Sequence, residues 1–220
     1  FKDFVLKDLE SCGIESDISI DSTRPTTQKL AFIADDYRLL KVDKLDNRAI
    51  GDKILAELEN SLTASDANAF VFSDFRHGIF SPRTIEQLVA CVPAGVLKVA
   101  DSQVASRWGN ILDFQGFDLI TPNEREARFA LGDQDSVVRP LALKLYEQAQ
   151  CQYLILKLGG RGIITYRSST PKDFRAFFTV DSFVDRIVDK VGTGDALLSY
   201  ATLSLKATDS PVIASILGSM

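Results

Sequence analysis

From residue 68 onward, short apolar runs alternate with helix-period segments, and this alternation restricts the fold more than any other feature of the chain. The runs are Ala69-Phe-Val-Phe72, Val96-Leu-Lys-Val-Ala100, Asp118-Leu-Ile-Thr121 and Tyr153-Leu-Ile-Leu-Lys157. Between them, residues 82–92, 123–131 and 135–150 carry apolar residues at helical spacing, while 104–112 fits neither period. Strands alternating with helices predict βαβ crossovers and a mainly parallel sheet. Parallel strands are covered on both faces, which suits near-continuous apolar runs. Two more strands are predicted at 162–166 and 174–180, then helices starting near 194 and 211.

The first 67 residues follow another rhythm. Phe1, Phe4, Val5 and Leu9 share one face of an amphipathic helix that Gly13 can stop. Ile18 and Ile20 predict a short strand. Lys29–Ala34 and Tyr37–Val42 flank Asp35-Asp36, which predicts a β-hairpin with a two-residue loop, and 51–62 predicts a helix.

With 220 residues, 45% of them hydrophobic and 25% charged, the chain can build a real core. The net charge is −5 and no basic block occurs, so there is no electrostatic footprint for nucleic acid. No run approaches the roughly 18 apolar residues of a membrane helix. Cys12, Cys91 and Cys151 are far apart and odd in number, which predicts buried free thiols in a reducing cytosol and a cytoplasmic protein. His77 is the single histidine and has no metal-ligand partners at recognisable spacing, so a surface or structural role is expected. Trp108 is expected in packing. The chain opens on Phe1 without an initiator Met, and it is expected to begin inside a longer protein.

The sharpest chemical signal is Val191-Gly-Thr-Gly-Asp-Ala196 ahead of an apolar helical run. Two glycines permit close backbone approach. A helix starting there aims its N–H groups at whatever lies in front, which favours phosphate. Gly192, Thr193 and Gly194 can form an anion hole, and Asp195 can accept a proton from a hydroxyl. The structural alternative is a glycine turn with Asp195 as an ordinary first-turn residue. The loop is not of the GxxxxGK[ST] type, and no HRD or DFG triplet occurs.

Asp189-Lys-Val-Gly-Thr-Gly-Asp-Ala196 resembles the second signature of the ribokinase/PfkB-type carbohydrate kinases, with Thr193 in place of the usual Ala and Lys190 where a small residue is common. The resemblance implies an α/β, ribokinase-like fold: a mainly parallel sheet flanked by helices, with a small β lid or hairpin contributed by 17–45. It implies Asp195 as catalytic base, ATP and Mg²⁺ as requirements, and a monovalent cation, K⁺, near Asp189. Thr121-Pro-Asn-Glu-Arg-Glu-Ala127 resembles the family's N-x-x-E motif, which places Asn123 and Glu126 near Mg²⁺ and the phosphates, through water. Asn123 is equally a helix N-cap with Glu126 as its capping-box partner, and both roles are compatible. Leu154-Ile-Leu-Lys-Leu-Gly-Gly-Arg-Gly162 resembles a strand and turn beside the nucleotide, implying nucleotide contacts from Lys157, Gly159 and Gly162. Lys157 replaces the usual Thr; it either touches a phosphate or snorkels from a strand end.

Arg24-Pro-Thr-Thr-Gln-Lys29, Ser73-Asp74 and Ala100-Asp101 look most like the heptose-phosphate kinase branch. Arg24 and Lys29 are then the candidates for holding a sugar phosphate, against the alternative of a charged strand edge. Lys41, Arg76-His77 and Ser102-Gln103 depart from that branch's pattern. The resemblance spans about residue 4 to 218, with its motifs in family order. Family members have a longer N-terminal part and continue past the last helix, so one kinase domain over 1–220, incomplete at both ends, is expected. The expected partner is a sugar or sugar-phosphate substrate, with a homodimer open to the chain. The rival readings are a kinase-like scaffold without turnover and a nucleotide-binding regulatory module.

Overall fold

The structure is a computed structural model that describes residues 2–35, 37–104, 110–168, 170, 175–184 and 191–220. Asp189 and Trp108 lie outside the described residues. The chain divides into two compact units, Phe1–Ser65 with His77–Cys91, and Asp66–Arg76 with Val92–Met220.

The first unit contains α1 (Lys2–Ser11), a hairpin of β1 (Gln28–Ala34) and β2 (Tyr37–Lys44), α2 (Asp52–Ala64) and α3 (Pro82–Ala90). The strands pair antiparallel, as expected for a hairpin, and Asp35 takes φ 48°. Every residue of β1 is exposed. Ser81 caps α3 in a reciprocal box with Thr84. The strand expected at Ile18 and Ile20 does not form, and Ile20 is exposed. A strand needs a neighbour to take its backbone hydrogen bonds, and among the described residues no strand pairs with this segment. Arg24 sits among the loops, with Nε 2.6 Å from Asp21 and Nη1 donating to the carbonyls of Arg48 at 2.7 Å and His77 at 3.3 Å.

The second unit is a six-stranded sheet in sequential order: β3 (Ala69–Asp74), β4 (Leu97–Ser102), β5 (Leu119–Ile120), β6 (Tyr153–Lys157), β7 (Ile163–Tyr166) and β8 (Phe177–Val180). β3 to β6 run parallel, and β7 and β8 add antiparallel. Side chains alternate between faces, so each strand feeds two cores. Val99, Leu119, Ile155 and Ile163 join Leu197, Leu198, Ala201, Leu205 and Ala214 of α6 (Thr193–Thr208) and α7 (Pro211–Ser219). The alternate residues Ala100, Ile120, Leu154 and Leu156 are also fully buried, toward α4 (Glu124–Leu131) and α5 (Val138–Ala149). On that face Phe117 meets Phe72 and Phe114 edge to face at 5.1 and 5.4 Å.

Of the three cysteines expected to be buried, only Cys151 is, and burial pushes its thiol up to about 12. Cys91 is half-buried. Cys12 is exposed because α1 buries no residue at all.

The β6–β7 turn depends on Gly162, at φ 80°, where a β-carbon would lie 2.0 Å from the Val180 carbonyl oxygen. Gly159, at φ 61°, has open space around it. A left-handed Ala costs about 1–2 kcal/mol without any clash. Gly162→Ala should therefore lower the melting temperature well beyond Gly159→Ala. Equal losses would contradict this account of the turn.

Candidate active site

The same alternation that sorts the two cores also sorts the polar residues at the strands' carboxyl ends. Asp101, two residues after Val99, Thr121, two after Leu119, and Lys157, two after Ile155, all fall on the α6 face. There they converge. The Lys157 Nζ lies 3.0 and 3.1 Å from the two Asp101 carboxylate oxygens, and the Thr121 hydroxyl donates to the same carboxylate at 3.2 Å. The pair is largely dry, with 9% of the Asp101 side chain and 14% of the Lys157 side chain exposed. Burial raises the Asp101 carboxyl above its ordinary range; Lys157 and Thr121 pull it down, and the charge of Asp195 pushes it up.

α4 begins beside this group. The Lys157 N–H donates to the Pro122 carbonyl at 2.9 Å, and Asn123 bridges to Lys157. Asn123 caps α4: its side chain accepts from the Glu126 N–H at 2.9 Å, and Glu126 accepts from the Asn123 N–H at 2.7 Å. The capping role read from sequence is therefore present. Glu126 is nonetheless buried, which raises its carboxyl from the usual 4.5 to about 7. The nearby Asp101 charge adds to that rise.

α6 begins on the other side. Gly192, at φ 81°, is its N-cap and has no side chain with which to cap the first turn. The first bond inside the helix runs from the Ala196 N–H to the Gly192 carbonyl at 2.9 Å. A β-carbon on Gly194 would lie 3.3 Å from the Lys157 Nζ, so the ammonium stands directly against the helix start. Asp195 occupies the first turn and is exposed.

The structure thus brings Gly194, Asp195, Lys157, Asn123 and Glu126 around one polar group, with Gly159 and Gly162 in the turn that follows β6. Lys157 does not simply snorkel to solvent, since its ammonium is committed to a buried carboxylate. Asp189 lies outside the described residues. Arg24 and Lys29 belong to the first unit, where Arg24 braces loops and Lys29 pairs in register with Asp43 across the hairpin. The Asp101–Thr121–Lys157 contact was missed from sequence. Its only trace is the polar residue ending each of three apolar runs.

A second polar group sits on the opposite face. Asp74 accepts from the Arg76 Nη1 at 2.7 Å and from the Ser102 hydroxyl at 2.9 Å, and all three residues are buried. Arg76 holds φ 60° there, and its N–H bonds Asp74 at 2.7 Å.

Among the described residues, no group of three or more His, Cys, Asp or Glu is arranged to hold a metal directly. Glu126 and Asn123 offer hard oxygen donors whose geometry is already used in capping. That set fits a hydrated Mg²⁺ approached through water and phosphate. His77 joins no metal group among the described residues.

Comparison with known proteins bears on the family and the fold. The bifunctional protein HldE of Desulfatibacillum aliphaticivorans is 27% identical over 209 residues, covering 90% of this chain and 40% of that protein. The chain thus spans about two-fifths of the length of such relatives. Ribokinase from Thermotoga maritima superposes with a TM-score of 0.70 at 20% identity, covering 99% of this chain and 68% of that one. Phosphofructokinase-2 from Escherichia coli in complex with potassium superposes with a TM-score of 0.75 at 17% identity, covering 99% and 71%. Both likenesses show the ribokinase-like fold. No helix among the described residues is long and apolar enough to cross a membrane. The signature of the pfkB family carbohydrate kinases matches residues 1–214, and the chain belongs to that family.

Proposed function

We propose that the chain carries the phosphoryl-transfer end of an ATP-dependent kinase acting on a hydroxyl of a sugar or sugar phosphate. The observation that carries this reading is the juxtaposition of a helix start capped by Gly192, an exposed first-turn Asp195 and a fixed ammonium. In the reaction, the acceptor hydroxyl oxygen bonds to the γ-phosphorus as the bond to the β-phosphate bridging oxygen breaks, and ADP leaves. Asp195 takes the hydroxyl proton. N–H groups at Gly192, Thr193 and Gly194 meet charge developing on the transferred group. Asn123, Lys157 and the Gly159–Gly162 turn lie on the nucleotide side. Glu126 and Asn123 would hold Mg²⁺ through water, and the ion would supply charge neutralisation on the phosphates. A K⁺ site near Asp189 belongs to the same proposal. The potassium complex of Escherichia coli phosphofructokinase-2 supports it by likeness.

For the acceptor, a heptose phosphate is the preferred reading. It rests on Arg24-Pro-Thr-Thr-Gln-Lys29, with Arg24 and Lys29 as candidates for a substrate phosphate. The departures at Lys41, Arg76-His77 and Ser102-Gln103 leave room for another small sugar.

Two outcomes test the proposal. With Mg·ATP and a panel of sugars and sugar phosphates, Asp195→Asn should lower acceptor-dependent ADP release by about 10²–10⁴-fold, the usual loss on removing a general base. Release that ignores the substitution would remove Asp195 from the role of base, and no release on any acceptor would favour a scaffold without turnover.

The second outcome concerns pH. Glu126 has a raised carboxyl, so the folded state holds its proton more tightly than the unfolded chain does. Its stability contribution is complete below the ordinary value of 4.5 and is lost as pH rises through about 7. Full ionisation is worth about 3 kcal/mol against the fold. The melting temperature should fall from pH 5 to pH 8, less steeply in Glu126→Gln, and Mg²⁺ with an ATP analogue should restore more at pH 8 than at pH 5. Identical pH slopes in both proteins would remove Glu126 from this role.

A further inference from the structure

We propose that Lys157 is a positioning residue for the terminal phosphate of a nucleoside triphosphate, its ammonium held in place by Asp101 beside the start of α6. The inference rests on the kinase reading above and goes beyond it by giving one side chain the task of telling ATP from ADP.

Three observations carry it. The first is donor count. An ammonium has three N–H donors. The two Asp101 oxygens, at 3.0 and 3.1 Å, engage at most two of them. The third is left for an acceptor in front of the helix. The second is aim. The Lys157 backbone is fixed by its N–H bond to the Pro122 carbonyl at 2.9 Å, and alternation along β6 turns its side chain toward α6. Gly194 leaves the space next to the ammonium unfilled, since a β-carbon there would come within 3.3 Å of Nζ. The third is charge. Asp101, Glu126 and Asp195 act on one another or on the same group, so an incoming phosphate meets an acidic setting. Lys157 is a cation that both Asp101 and Glu126 feel.

Asp101 explains why the ammonium does not leave with the ligand. Separating a buried pair strands a carboxylate in a dry site. Lys157 therefore stays put and shares itself between Asp101 and the phosphate, as a fixed donor rather than a mobile one. A neutral residue at this position would lack that outer contact. Lys157 accordingly contributes to triphosphate selectivity more than to nucleotide affinity as such.

The test is calorimetric titration of the full chain with ADP and with a non-hydrolysable ATP analogue, in Mg²⁺. The proteins compared are wild type, Lys157→Arg, Lys157→Met and the double variant Lys157→Met with Asp101→Asn. The double variant removes both charges together and so avoids the stranded carboxylate. Wild type should favour the triphosphate. The double variant should melt above Lys157→Met and lose about 10- to 100-fold of the triphosphate preference, the usual worth of a charged hydrogen bond. Lys157→Arg should recover part of it. A folded double variant with the wild-type preference, or a wild type that binds both nucleotides equally, would overturn the proposal while leaving the kinase reading standing. A wild type that binds neither nucleotide would overturn both.

Discussion

Burying a carboxylate at the end of a parallel sheet is unfavourable unless a cation reaches it in good geometry. Asp101 meets that condition only because three strands agree in register. β5 lies between β4 and β6, and all three place the same parity of residue on the α6 face. Lys157 then spans from β6 to Asp101, and Thr121 closes the gap at the strand between. Removing one partner alone would leave an uncompensated buried charge, at a cost of about 3–5 kcal/mol. The site next to the helix start thus depends on core packing far below it, where Val99, Leu119 and Ile155 lock the strands' rotation against Leu197 and Leu198.

The charges around that pair give the site its character. Glu126 is buried and raised, Asp101 is buried and raised, and Asp195 is exposed in the first turn of α6. Such a setting repels anions unless positive ends are supplied. The structure offers two, the helix start at Gly192–Gly194 and the Lys157 ammonium. In the proposed function a hydrated divalent cation would be the third, and it would ease the ionisation of Glu126. The box between Asn123 and Glu126 orders α4 and holds a buried carboxyl beside the Asp101–Lys157 pair; in the proposed function the same two residues also serve the nucleotide's metal.

Much of this was legible in the residues. Near-continuous apolar runs and period-3.6 segments after residue 68 marked the sheet and its helices, because strands buried on two faces admit few polar residues. Asn123 and Glu126 stand at capping-box spacing, a local relation that needs no tertiary information. Gly192 and Gly194 ahead of an apolar helical run marked the α6 start. The Asp101–Lys157 pair was not legible, since its members are 56 residues apart and meet only through the register of β5 between them. Ile18 and Ile20 looked like a strand, but two apolar residues with no neighbouring strand have nowhere to send their backbone hydrogen bonds. Cys12 was expected inside and is outside, because α1 is amphipathic in pattern and buries no residue.

The central claim is that the α6 start and Lys157 together form the seat of the transferred phosphoryl group. A crystal structure of the chain with Mg²⁺, ADP and aluminium fluoride tests it most directly, because the fluoride mimics that group in flight. The account places the fluoride within hydrogen-bond reach of the N–H groups at Gly192–Gly194 and of the Lys157 ammonium, with Asp195 on the side away from ADP. A fluoride bound elsewhere, with the α6 start and Lys157 touching no part of it, would contradict the account.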